Sequence, residues 1–272
     1  MHGAKLQVRG SSNKPPHSFF HAMTTIPQSS RKTTLIPPPT QDFAARQQTI
    51  RLYPSSNYVF ATKDAQVERD VSVQARMQRL KSMYDESGML RYVEGVFLCH
   101  EFGTPYVFLL QLPNNFFKLP GEYLDPDEED EEGGLLRKLA DRLSPENGED
   151  QENSKSWKVL DCLAQWWRPN FEVFMYPFLP PHISRPKECK KTFLISLPEK
   201  IAFFVPSNMT FLAVPLFELY DNPARYGPQL CALPHYLSRY NFECVDKNGV
   251  VVSQFPGSAP YQQKDGESKL QA

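Results

Sequence analysis

Two apolar runs with only a short break between them do most to limit what this chain can fold into. Arg91 to His100 reads Arg-Tyr-Val-Glu-Gly-Val-Phe-Leu-Cys-His, and Pro105 to Leu112 reads Pro-Tyr-Val-Phe-Leu-Leu-Gln-Leu. Their β-branched and aromatic content predicts strands, and Phe102-Gly103-Thr104 between them suits a hairpin. No stretch anywhere reaches the roughly 18 apolar residues that span a bilayer, so no membrane-spanning helix is expected. A chain of 272 residues suffices for one large domain or two small ones. At 40% apolar content it can bury a core while leaving some sequence outside it.

Helical spacing appears around the strands. Val73, Met77, Leu80 and Tyr84 share one face of a predicted helix, with Asp70 or Ser72 as its cap and Gly88 at its stop. Leu136, Leu139, Ala140 and Leu143 share the face of a second, over 135–143. Leu230, Leu233, Leu237 and Tyr240 line a third, from Pro228 to Tyr240. Trp157 to Trp167, Lys191 to Leu197 and Phe211 to Leu219 read as further strands. Strands mixed with a few helices, without regular βαβ alternation, predict a mixed α/β sandwich rather than a doubly wound sheet.

The two ends differ from this middle. Residues 1–46 hold Pro37-Pro38-Pro39, much Ser, Thr and Gln, and six cations (Lys5, Arg9, Lys14, Arg31, Lys32, Arg46) against one acid, Asp42. Such a segment cannot bury enough apolar surface to offset its ordering entropy, so it reads as a mobile basic arm. Met1 to Pro16 carry no apolar run, so no secretory signal is expected. Residues 246–272 read as a flexible tail, which leaves 47–245 as the folded domain. Cys99, Cys162, Cys189, Cys231 and Cys244 are odd in number and form no C-x-x-C pair, so neither a disulfide framework nor a structural zinc site is expected. With 30 Lys and Arg against 31 Asp and Glu, the chain is not a uniformly basic phosphate binder, and a nucleic-acid role needs local basic surface or base-reading groups.

One segment has the layout of a phosphohydrolase motif. A strand leads to Leu119-Pro120-Gly121, then to an acidic turn over 125–132, then to the helix at 135–143. This resembles the Nudix motif, in which carboxylates along one helix hold divalent cations against a pyrophosphate. The helix half departs from that pattern. With Arg137 as the motif's Arg, the acid positions hold Lys138, Asp141 and Arg142; with Lys138, they hold Leu139, Arg142 and Leu143. Either register breaks the metal cluster, so no metal, no cofactor and no catalytic residue is expected. The acidic turn then reads as a solvated loop that complements a helix dipole.

Longer runs carry a more specific resemblance. They include Val93-Glu94-Gly95-Val96, Phe116-Phe117-Lys118-Leu119-Pro120-Gly121, Trp166-Trp167-Arg168-Pro169-Asn170-Phe171-Glu172, Pro186-Lys187-Glu188 and Pro215-Leu216-Phe217-Glu218-Leu219-Tyr220-Asp221-Asn222. Tyr226-Gly227-Pro228 and Leu237-Ser238-Arg239-Tyr240-Asn241-Phe242 complete the series. Over about 49–242 the chain resembles the small, Nudix-fold subunit of the pre-mRNA cleavage factor I complex, the cleavage and polyadenylation specificity factor subunit 5 family. The resemblance implies an α/β/α Nudix sandwich with a mixed sheet that has lost its hydrolase carboxylates. It also implies a nuclear homodimer that binds a UGUA element in single-stranded RNA and recruits a larger subunit carrying an RRM. A residual hydrolase of dinucleoside polyphosphates is the competing reading, and a scaffold without RNA contact is a third.

The resemblance also assigns residues. Phe116 is the stacking ring, and Phe117 its packed neighbour whose backbone lies against a base. Such stacking is worth roughly 1–3 kcal/mol per base. Glu94 accepts from a base edge. Glu68 and Arg76 face the RNA, where the planar guanidinium can bond a base edge or stack. Asn115 stands where the family has Thr, and Leu119, Tyr226 and Gly227 complete the RNA set. Tyr176, with Phe178 in place of a family Tyr, contacts the RRM subunit. Glu122 replaces a family Gly. Without the family, Phe116 and Phe117 read as two core phenylalanines, and Glu68 with Arg76 as a surface ion pair.

Overall fold

The computed structural model describes residues 48–67, 70, 72–128, 130–145 and 156–255. The expected basic arm and residues 256–272 of the expected tail therefore lie outside the described residues. In chain order the elements are β1 (Thr49–Leu52), β2 (Tyr58–Lys63), α1 (Val73–Ser87), β3 (Leu90–Glu101), β4 (Thr104–Gln111), β5 (Phe117–Lys118), β6 (Gly121–Tyr123) and α2 (Glu131–Leu143). There follow β7 (Lys158–Arg168), β8 (Glu188–Ser196), β9 (Ile201–Pro206), β10 (Thr210–Pro215), α3 (Leu216–Leu219), α4 (Pro223–Cys231), α5 (Leu233–Leu237), β11 (Asn241–Val245) and β12 (Val251–Phe255).

The two apolar runs form the hairpin at the centre of the molecule. β3 and β4 pair antiparallel, with Glu101 opposite Thr104. Phe102 (φ 49°) and Gly103 (φ 77°) both take the left-handed turn conformation that matches strand twist. Around them the main sheet runs β10–β4–β3–β8–β7, with β5 added to β4 and β6 to β3. The β3–β8 pairing is parallel and the others are antiparallel, so the sheet is mixed. Two smaller ladders flank it, β1–β11–β12 and the parallel pair β2–β9.

Alternate β3 side chains serve two apolar layers. Val96 and Leu98 pack with Tyr226 and Leu230 of α4, Leu233 and Leu237 of α5, and Ile50 and Leu52 of β1. Phe97 and Cys99 pack with Leu135, Leu139 and Leu143 of α2 and with Ile201, Phe203 and Val205 of β9. A sheet between two apolar layers is the expected α/β/α sandwich. A smaller cluster of Leu80, Leu90 and Tyr123 seats α1. Gly95 is where α2 comes closest: an added Cβ would stand 2.9 Å from Leu139 Cδ1. The absence of a side chain at Gly95 lets this helix pack so closely. No helix among the described residues is long and apolar enough to cross a membrane.

Several boundaries differ from expectation. Ser72 caps α1 by accepting from Ala75 N at 3.1 Å, while Asp70 takes a two-pronged bond from Arg79 at 2.9 and 2.7 Å. Val73, expected to face inward, is exposed. α2 starts at Glu131 rather than 135, because Asp130 caps it and two acids suit its first turn. The strand expected over 211–219 ends at Pro215 and becomes one helical turn. The helix expected over 228–240 is two short ones, with Pro234 near the start of the second. The expected tail begins inside a hairpin, since β11 returns as β12 through a turn at 246–250. The apolar run Val250-Val251-Val252 is the signal that a reading based on polar composition passed over.

Candidate RNA interface

β5 and the loop before it build one wall of the candidate site. Asn114 and Asn115 turn the chain after β4, and Asn115 takes φ 59°. Gln111 Nε2 donates to Asn115 Oδ1 at 2.9 Å, and Phe116 N to Asn114 Oδ1 at 3.1 Å. These bonds hold the loop so that consecutive phenylalanines part. Phe116 is 57% exposed, and Phe117 is buried against Tyr226 with ring centroids 4.9 Å apart. The resemblance implied the same split, an exposed ring beside a packed neighbour. Leu119 lies in the same buried cluster.

A cavity of about 440 Å³ opens beside Phe116. Its lining includes Arg76 and Arg79 from α1, Lys118 from β5, Glu122 and Tyr123 from β6, and Arg142 from α2. Gly121 is required by the backbone here. It pairs with Glu94, and a Cβ on it would stand 2.4 Å from Val93 O. Arg142 reaches Glu122 at 2.5 Å, and Arg79 holds Asp70. The Arg76 guanidinium meets Tyr123, whose hydroxyl donates to Glu188 Oε1 at 3.2 Å. Burial alone would loosen the Arg76 proton, but the Tyr123 oxygen and Glu188 hold it more tightly than usual. Glu188 in turn accepts from Arg168 Nε at 2.7 Å, a pair wholly inside the protein. Lys118 is pushed down to about 8 by burial and by Arg142, with Arg76 and Lys190 adding to the effect and Glu122 opposing it.

The remaining expected residues divide into three groups. Glu68 lies outside the described residues. Glu94 on β3 and Tyr226 and Gly227 on α4 do not line the cavity, although Glu94 pairs with the lining residue Gly121. Glu94 is buried and already bonded, to Lys190 Nζ at 2.7 Å and from Thr192 Oγ1 at 2.7 Å. Lys190 also donates to Gln229 of α4 at 2.8 Å. The Tyr226 hydroxyl donates to Glu218 Oε1 at 2.5 Å, and burial together with that carboxylate pushes it up to about 12. Gly227 takes φ 77° and kinks α4. Tyr176 and Phe178 stand apart on the β7–β8 connection, both exposed, with rings 6.3 Å apart. Phe174 and Val173 are exposed on the same loop, whereas Trp166 belongs to the core.

Sequence reading passed over Lys118, Arg79 and Arg142 as site residues. In sequence Lys118 is one residue of the Phe-Phe-Lys-Leu-Pro-Gly run, and Arg142 is a cation that breaks an acid pattern. Their convergence depends on β5, β6 and α2 meeting, which linear spacing does not express.

On the outer side of α2 the acidic turn is neutralised. Asp125 accepts from Arg137 at 3.0 Å and Lys138 at 3.2 Å, Glu128 also pairs with Arg137, and Glu131 meets Lys191 at 2.5 Å. The Lys138 and Arg137 bonds hold the Asp125 carboxyl below its usual range. Among the described residues no three His, Cys, Asp or Glu side chains are grouped to hold a metal. This donor set, committed to lysine and arginine, does not fit a divalent cation cluster.

Comparison with known proteins gives a consistent family. The NUDIX_2 family, described as nucleotide hydrolase, matches residues 48–240. The chain is 48% identical over 201 residues to pre-mRNA cleavage factor Im 25 kDa subunit 2 of Arabidopsis thaliana, covering 74% of this chain and 98% of that one. It is 42% identical over 195 residues to cleavage and polyadenylation specificity factor subunit 5 of Dictyostelium discoideum, covering 71% of this chain and 95% of that one.

Proposed function

The chain belongs to the Nudix-fold family of cleavage factor Im 25 kDa subunits, and from that premise we propose that it is a non-catalytic RNA-binding subunit that reads UGUA elements as a homodimer. At the coarser level it is a pre-mRNA cleavage and polyadenylation factor subunit. In this reading it acts in the nucleus and recruits a larger RRM-containing subunit through Tyr176 and Phe178.

The single observation that carries the reading is the exposed Phe116 ring beside a cavity that holds Arg76. Sequence-specific RNA recognition uses splayed bases that stack on aromatic rings and present their edges to polar groups. Phe116 supplies the ring. Arg76, braced by Tyr123, supplies a donor fork. Glu94 and Tyr226 act from the adjoining face, which requires Glu94 to share its Lys190 and Thr192 bonds with a base. The test is binding of a UGUA oligoribonucleotide against oligomers with each base replaced. Affinity selective for UGUA supports the reading, and equal affinity for all of them sinks it.

The competing reading, a residual hydrolase of dinucleoside polyphosphates, draws on the family description. Against it stand Lys138 and Arg142, cations at positions where the motif asks for acids. Phosphate release from such substrates with magnesium or manganese is expected to be absent. Turnover that Asp127→Asn or Glu128→Gln abolishes would restore the enzyme reading.

A further inference from the structure

We propose that Lys118, flanked by Arg142 and Arg76, forms a phosphodiester-receiving subsite inside the cavity beside Phe116. This rests on the RNA-binding reading and adds to it a backbone contact.

The observation behind it is a mismatch of charge. Each neighbouring cation already has a partner. Arg142 has Glu122, Arg79 has Asp70, Lys190 has Glu94 and Gln229, and Arg76 has the Tyr123 oxygen. Lys118 is half-buried, and among the described residues its ammonium makes no hydrogen bond or ion pair. Burying an unmatched charge among like charges is unfavourable, and the group answers by losing affinity for its proton. A fold retains such a group at least cost when an external anion matches it.

Position selects the anion. Lys118 lies in β5, two residues after the exposed ring of Phe116 in the preceding loop, and both side chains line one cavity. Nucleotides are joined by phosphodiesters, so a base on Phe116 brings one of them to the cavity that Lys118 lines. A lysine ammonium suits this role as a compact point charge that reads no base.

The experiment compares full-length wild type, Lys118→Met and Lys118→Arg. Affinity for UGUA and base-replaced RNAs is measured over a range of salt, and melting is followed with and without inorganic pyrophosphate. Lys118→Met is expected to weaken all RNAs by a similar factor, about three- to tenfold, and to flatten the log–log salt slope by about 0.7. Lys118→Arg keeps the slope. Lys118→Met with wild-type affinity and slope overturns the proposal. So does a pyrophosphate-induced rise in melting temperature that depends on Lys118 while RNA affinity does not, because the anion would then be a free polyphosphate. Should wild type show no preference for UGUA, the sequence-reading function fails. The subsite is then decided by whether oligouridine binding still depends on Lys118 and salt.

Discussion

The two sides of α2 treat charge in opposite ways. On the outer side, Asp125, Glu128 and Glu131 each meet a lysine or arginine, so these three acids of the turn are held in ion pairs. On the cavity side, the described lining holds four cations, Arg76, Arg79, Lys118 and Arg142, against two carboxylates, Asp70 and Glu122. Matched charge mainly stabilises local structure, and unmatched charge inside a cavity is free to meet a ligand. The helix that carries metal-binding carboxylates in the hydrolase pattern here contributes Arg137 and Lys138 to one side and Arg142 to the other. The outer side thus pairs three of its acids, while the inner side carries an excess of cations.

The largest effect on the matched side is expected at a pair that is fully enclosed. Arg168→Ala leaves the Glu188 carboxylate buried without its ion-pair partner, held by the Tyr123 hydroxyl, and should destabilise the fold by about 3–5 kcal/mol in chemical denaturation. A loss under about 1 kcal/mol would show that water reaches this pair. On the unmatched side, Phe116→Ala should weaken binding to UGUA RNA by about tenfold or more while leaving the melting curve close to wild type, since the ring is mostly exposed. Wild-type affinity in that variant would favour a scaffold without RNA contact. Glu122→Gln should convert a matched cation into an unmatched one. RNA binding should then tighten about two- to fivefold at low salt and the salt slope should steepen, measured by titration. The smallest effect is expected at the exposed turn, where Glu128→Gln should cost less than about 1 kcal/mol and leave RNA affinity unchanged.

Lys118 adds a pH test with a defined sign. The folded state holds its ammonium at about 8, below the ordinary lysine value near ~10.4. Between these values the unfolded chain binds more protons, so the stability contribution of this group rises as pH climbs through that window. At pH 7 the full penalty is present. Lys118→Met should therefore melt higher than wild type at pH 7, with the advantage fading toward pH 10.5. RNA affinity should move the other way, with wild-type binding weakening as pH passes about 8. A variant that loses both stability and binding at pH 7 would make Lys118 a structural lysine.

The same contrast explains what sequence reading could reach. The β3–β4 hairpin was legible because strand content and a Phe-Gly turn are local. The opposite fates of Phe116 and Phe117 were legible through the family resemblance, which makes one ring exposed and the other packed. β2 and β9 were missed, since their parallel pairing joins distant segments and only the fold brings Phe203 against Phe108. α4 and α5 were read as one helix because the periodicity of Leu230, Leu233 and Leu237 continues across the break. The broken acid pattern was visible in sequence. The salt bridges that neutralise it were not, because Lys191 reaches Glu131 from another strand.

The pairing of β1 with β11 has a consequence for how the chain is made. Thr49 sits opposite Asn241 and Leu52 opposite Cys244, so the first described strand finds its ladder at almost the last. While the polypeptide is being synthesised, Ile50 and Leu52 have no strand to lie against until Phe242 and Cys244 have left the ribosome. The nascent hairpin of β3 and β4 can close early, but this outer ladder waits for the very long loop between its strands to be drawn shut. A chain cut short before Asn241 would leave β1 without its ladder partner, an exposed edge open to chaperones or aggregation.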